Sequence, residues 1–156
     1  MSFLGNTKNN EVQILEFALD DNRYGIVVSI VSELLQYRAV QPMPRAPVYV
    51  EGIISPRNEL MPVVDLAAYL KHGKSKQQEL DIFIIAEILG KRTAFHVHKV
   101  IGMHLIPQDA IKKPDSSVFG DDYGIISGIS IIEDKVVSIL DFNKIISSID
   151  SYSFEK

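Results

Sequence analysis

His72, His96, His98 and His104 are the side chains of this sequence best suited to moving a proton or holding a metal near neutral pH. His96 and His98 alternate, and alternate residues on a strand share a face, so both imidazoles could be aimed at one ion. Such a site needs a further ligand. A small-barrel metal protein or hydrolase using His96/His98 therefore stands second to the plainer reading, strand histidines partly open to solvent. Asp20-Asp21 and Asp121-Asp122 are adjacent acids among turn formers, where carboxylates are more often solvated than catalytic. Asp65 and Asp141 each precede a short apolar-periodic stretch and are expected to cap it. Lys71, Lys74 and Lys76 fall in the most polar stretch of the chain and read as a solvated face, and Pro44-x-x-Pro47 reads as a rigid linker. Arg57, between Pro56 and Asn58 at a turn, would hold five guanidinium donors toward a partner. No phosphate loop, dinucleotide fingerprint, Gly-x-Ser-x-Gly elbow or His-Glu-x-x-His helix occurs, so no catalytic residue, cofactor or resident metal is expected.

The elements that must position these residues follow from composition and periodicity. The chain has 156 residues, 46% hydrophobic and 23% charged, which suits one folded domain and excludes disordered and collagenous classes. Ile and Val, 21 and 14 of them, outnumber the 12 Leu, and β-branched side chains favour a pleated surface. A net charge of −4 offers nothing to a phosphate backbone or an anionic lipid surface, so nucleic acid is not an expected partner. The sequence contains no cysteine, which rules out disulfides and thiolate chemistry. No apolar run is long enough to cross a bilayer and no basic leader precedes one, so direct membrane insertion is not expected and a cytoplasmic location is.

Residues 1–10 read as a flexible leader, 11–150 as the folded domain and 151–156 as a tail. Val12 to Leu19 and Tyr24 to Val27 form a hairpin around the Asp20-Asp21 turn. Val27, Ile30, Val31 and Leu34 fall at i, i+3, i+4, i+7, which predicts a short helix with Glu33 on its solvated side. Prolines 42, 44 and 47 force an extended connector. Val48 to Ile54 and Leu60 to Val64 flank the turn that carries Arg57, and residues 71–79 read as the boundary between two lobes. Leu80 to Ile88 and Thr93 to Val97 form another hairpin, residues 118–124 a turn region, and Ile125 to Ile132 with Val136 to Leu140 a last hairpin. Gly52 lies 13 positions before Asp65, and Gly128 lies 13 before Asp141. That repeat predicts a mainly β protein of two similar small barrels closed by short helices.

Phe17-x-Leu19, Tyr24-Gly25-Ile26, Val31-x-Glu33-Leu34, Pro44-x-x-Pro47-x-x-Val50-x-Gly52-Ile53-Ile54, Arg57, Pro62-Val63-Val64-Asp65-Leu66, Phe95-x-Val97-x-x-Val100, Ser127-Gly128-Ile129 and Leu140-Asp141-Phe142 together resemble the CheW-like coupling domain of bacterial chemotaxis. The leader and the stretch from Phe95 to Pro114 are closer to the CheV type, in which a receiver domain follows. The resemblance implies two five-stranded, SH3-like β-barrel lobes. It implies a scaffold rather than an enzyme, recruited to receptor arrays at the inner face of the membrane. Its partners would be the cytoplasmic tip of chemoreceptors and the regulatory domain of the chemotaxis histidine kinase. Carried over residue by residue, the partner-binding positions are Val31, Glu33, Gly52, Arg57 and Asn58. The family usually has Asn-Leu-Arg-Gly where this chain has Ser55-Pro56-Arg57-Asn58. Asn58 can take the left-handed conformation of that glycine, while Pro56 fixes one dihedral.

Overall fold

A computed structural model describes residues 10–115, 117 and 120–150. The leader (Asn10 apart), the tail and part of the expected turn region at 118–124 lie outside the described residues. Unbroken apolar runs such as Ile82 to Ala86 need cover on both faces. The fold provides it with two five-stranded sheets packed around a shared core. Strands β1 (Glu11–Leu19) and β2 (Asn22–Val27) form the first hairpin, and Asp20 takes the positive φ that its turn requires. The expected helix is not formed. A single 3-10 turn, Val28–Ile30, leads into strand β3, Val31–Gln36. Burial there alternates, but a β-bulge between Val31 and Glu33 turns Val31 to the shared core and Leu35 to the hollow of the second lobe, with Leu34 44% exposed. The helical spacing of Val27, Ile30, Val31 and Leu34 was coincidental, since these residues fall at the end of β2, in the 3-10 turn and in β3.

Strand β4 (Val50–Ile54), the 3-10 turn Pro56–Asn58 and strand β5 (Met61–Asp65) lead into helix α1, Leu66–Tyr69. A hairpin of β6 (Ile82–Ile88) and β7 (Lys91–Val97) follows, then β8 (Lys99–Pro107), β9 (Ile126–Ile132), β10 (Lys135–Leu140) and α2 (Phe142–Asp150). The sheet orders are β8-β1-β2-β10-β9 and β3-β6-β7-β5-β4, each with one parallel pair at its centre, β2 with β10 and β5 with β7. Residues 71–79 separate the two sequence repeats but not the two lobes. Both β5 and β6, on either side of them, belong to the second sheet. Each repeat gives its leading hairpin to one sheet and its other three strands to the opposite sheet.

The repeat extends to single hydrogen bonds. The amide of Asp65 donates to the Tyr49 carbonyl at 2.7 Å, and that of Asp141 to the Ile125 carbonyl at 2.7 Å. Gln41 exchanges two bonds with Ile53, at 2.9 and 2.8 Å, as Lys112 does with Ile129, both at 2.8 Å. These bridges are the only backbone pairings between the edges of each sheet among the described residues, so each lobe is a curled sheet rather than a closed barrel. The expected caps are formed, Asp65 Oδ1 accepting from the Ala68 amide and Asp141 Oδ1 from the Lys144 amide, each at 3.1 Å. Loss of a cap costs about 1 kcal/mol. We expect Asp141→Ala to lower the urea-unfolding free energy by that amount, and an unchanged midpoint would show the cap to be idle.

The core is layered accordingly. Leu15, Phe17 and Leu19 of β1 meet Ile84, Ala86 and Ile88 of β6, Phe95 and Val97 of β7, and the inner faces of both helices between the sheets. The alternate residues fill the hollow of their own lobe, Val12 and Ile14 in the first and Phe83, Ile85 and Ala94 in the second.

Candidate functional site

The chain passes from the first sheet to the second at the turn Val28–Ile30, and Val28, Ile30, Val31 and Val100 lie half-buried there against the shared core. This seam places Val31 at the start of edge strand β3, with Glu33 two residues along, beyond a β-bulge, on the face that Leu35 turns to the second lobe. From the β4–β5 connection, Arg57 comes to meet Glu33. Its Nη2 donates to Glu33 Oε2 in an ion pair whose side chains remain 63% and 27% exposed. The turn is shaped for this, with Pro56 buried at its first position and both Arg57 and Asn58 at positive φ, 52° and 67°. Arg57 is therefore not simply held outward, and Glu33 is not on the far side of a helix. The two form one pair on the rim of the second lobe. A second pair, Arg92 Nη1 to Glu59 Oε1 at 3.1 Å, fixes the far end of the same turn.

Gly52 and Asn58 have backbone roles. Gly52 has φ +149°, and a Cβ placed there would lie 1.9 Å from the Gln41 carbonyl oxygen. It makes room for the bridge that joins the sheet edges. Asn58 supplies the left-handed turn, with its side chain in solvent.

Two clefts flank the helices at pseudo-equivalent places. One, of about 430 Å³, is apolar and lies where α2 (Ile146, Ile149) crosses β5 and β7, with Met43, Ile53, Leu60 and Met61 in its wall. The other, of about 500 Å³, is polar and lies beyond the end of α1 against the first sheet, lined by Arg23, Tyr24, His72, Lys135 and Ser138.

The structure does not bring His96 and His98 to one site, and it does not leave His96 open to solvent. His96 is 3% exposed, with its Nδ1 2.5 Å from Glu51 Oε1 and its Nε2 2.7 Å from Asp81 Oδ2. His98 lies apart, its Nδ1 accepting the Asp20 amide at 3.0 Å. Glu51, Asp65 and His96 bring ligand atoms within 4.8 Å of one another. Both ring nitrogens of His96 are already directed at carboxylates, Nδ1 at Glu51 and Nε2 at Asp81, so in this geometry neither is aimed at an ion among the three groups. Burial alone would lower the His96 pKa, but hydrogen bonds and charge from Glu51, the Asp81 hydrogen bond and the Asp65 charge outweigh it and raise it above the usual imidazole value. A separate buried acid, Glu16, is held by Arg23 Nη1 at 2.7 Å and His104 Nε2 at 2.8 Å. Of the adjacent acids, Asp20 accepts from the Gly73 amide at 3.3 Å, while the side chains of Asp121 and Asp122 lie outside the described part of the structure. Sequence reading missed Glu16, Glu51 and Asp81. The available signal was position, since Glu16 interrupts the run Ile14 to Leu19 and Asp81 stands directly before Ile82 to Ala86, where a charge must find a partner.

A family model described as the CheW-like domain matches residues 13–150. A chemotaxis protein CheW of Treponema pallidum is 26% identical over 144 residues, covering 90% of this chain and 85% of that protein. The CheW of Thermotoga maritima is 28% identical over 141 residues, covering 89% and 90%. Among solved structures, the scaffolding protein TtCheW from Thermoanaerobacter tengcongensis superposes with a TM-score of 0.77 at 29% identity, covering 83% of each chain.

Proposed function

Because this chain belongs to the CheW-like domain family, we propose that it is a chemotaxis scaffold that couples receptors to their histidine kinase by binding alone. The observation that carries this reading is the family match across both sheets and the seam between them, rather than over one lobe. We place the receptor contact at that seam. The cytoplasmic tip of a chemoreceptor is a helix, and an apolar helix face laid along Val28, Ile30, Val31 and Val100 would bury surface the chain leaves half-covered. The Glu33–Arg57 pair on the rim would set the register of that helix and steer its approach. The regulatory domain of the kinase is the second partner. None of the described helices is long and apolar enough to cross a membrane, so attachment to the inner face of the membrane would come through the receptors.

The test is a calorimetric titration of this chain against a receptor signalling-tip fragment and, separately, the kinase regulatory domain. Binding to both is expected, and binding to neither by a folded chain ends the proposal. Arg57→Glu is expected to weaken receptor binding at least tenfold, about 1.4 kcal/mol. Its stability should change by no more than about 1 kcal/mol, the range of an exposed ion pair. The swap Glu33→Arg with Arg57→Glu restores the internal pair but presents the wrong charges to a partner. Binding that stays weak in the swapped protein means that the two residues touch the partner, and recovered binding means that they only shape the turn.

A further inference from the structure

We propose that His96 is a proton-operated latch that sets how firmly edge strand β4, and with it the proposed partner face, is fixed to the rest of the second sheet. The latch consists of four elements meeting at one imidazole. Glu51 projects from β4, His96 from β7, Asp65 from the end of β5, and Asp81 stands directly before β6. The Asp81 carboxylate is 2% exposed and is held from behind by Ser75 Oγ, at 2.7 and 2.8 Å to its two oxygens. The rings of Tyr37 and Phe83 close the sides at 5.6 and 5.2 Å, so the groups facing His96 are three carboxylates and one phenol, with no cation among them.

An imidazole donates from both nitrogens only when it carries the second proton. As imidazolium, His96 bonds Glu51 and Asp81 together and ties β4, across β5 and β7, to the start of β6. As neutral imidazole it can donate to one of them only, which leaves the other carboxylate facing a lone pair in a poorly solvated site. Because the folded pKa is raised above the unfolded value, the stabilisation is complete below the ordinary imidazole pKa of about 6.5 and is lost as pH rises through the folded value. Strand β4 is the element that yields. It is an edge strand, Glu51 adjoins Gly52, and the next residue, Ile53, makes the bridge to Gln41 that joins the edges of the curled sheet. The same strand runs into the turn that carries Arg57, so release of the latch would loosen the positioning of the Glu33–Arg57 pair.

That last link rests on the function proposed above, and the test is chosen to stand without it. In the full chain, proton–nitrogen NMR of the imidazoles follows His96 as pH is raised from 6, while amide exchange reports the protection of Gln41 and Ile53. We expect a His96 midpoint above the ordinary imidazole value of about 6.5, with protection of the Gln41 and Ile53 amides falling through the same midpoint. Glu51→Gln keeps the shape of the site and removes one negative charge. In that variant the His96 midpoint should move down, and the loss of protection should move with it. A His96 midpoint at or below the ordinary value, or protection that stays flat while His96 titrates, overturns the latch. Receptor binding plays no part in either readout, so failure of the latch and failure of the coupling function are separately visible.

Discussion

Gly52→Ala is expected to cost at least about 3 kcal/mol and to appear as a fall in unfolding midpoint in urea. Two causes combine. The backbone at φ +149° lies where side chains are rarely tolerated, and the added methyl would sit 1.9 Å from the Gln41 oxygen, 2.7 Å from its carbonyl carbon and 2.9 Å from Pro42 Cα. All three are backbone atoms, so no side-chain rotamer relieves the clash. The segment must move away, and both Gln41–Ile53 hydrogen bonds go with it. Gly102→Ala is the control, because nothing lies within 4 Å of a Cβ built at Gly102 and its φ is ordinary. That variant should stay within about 0.5 kcal/mol of the parent. Equal effects at the two positions would refute the steric account. A Gly52 variant that binds receptor poorly would, on this account, report a damaged lobe rather than a lost contact.

Phe95→Ala should cost more, about 3–5 kcal/mol, as for other large aromatic truncations in a close-packed interior. Phe95 is fully buried on β7 and meets the ring of Phe142 edge-on, with centroids 4.8 Å apart. Phe142 opens α2, which follows the last strand pair of the other sheet. The cavity therefore opens between the lobes and not inside one. Both sheets should lose stability together, in one cooperative transition by circular dichroism and by tyrosine fluorescence. Two separated transitions would show that the lobes stand independently and that the shared core is less important than its burial suggests. A domain of this size has about 5–15 kcal/mol in hand, so the variant should remain folded at low temperature while losing much of its margin.

The sequence made the strand-rich class, the four hairpins, both aspartate caps and the spacing of the repeat readable, because each depends on local rules. Turn formers stand between apolar runs at Asp20-Asp21 and at Glu133-Asp134, and the carboxylates of Asp65 and Asp141 precede helical stretches. Glu33 and Arg57 were recognisable as positions of interest, but not as partners of each other. Their pairing depends on β3 and the β4–β5 turn coming together where the two edges of their own sheet curl to meet, which no spacing records. The segment after Val27 misled for a different reason. Four apolar residues at helical spacing also fit the end of one strand, a 3-10 turn and the start of the next when one of them, Leu34, is allowed to face solvent. His96 was legible as unusual and misassigned, because its two carboxylate neighbours lie elsewhere in the sheet, Glu51 on β4 and Asp81 directly before β6. The division of strands between sheets could not be read at all. A repeat in sequence shows that two halves are alike, not which half supplies which strand.

That division has a consequence for the order in which the protein can form during synthesis. The strands of the second sheet, β3 to β7, are contiguous in the chain, so all of them are available once Val97 has left the ribosome. The hairpin β1–β2 is made first but must wait for β8 and β10, which pair along its two sides. Translation proceeds at about 5–20 residues per second, so this apolar hairpin stays unpaired at both edges for several seconds. The first-made hairpin of this fold is thus the last to be enclosed, and it is the segment that a ribosome-associated chaperone would have most reason to shield.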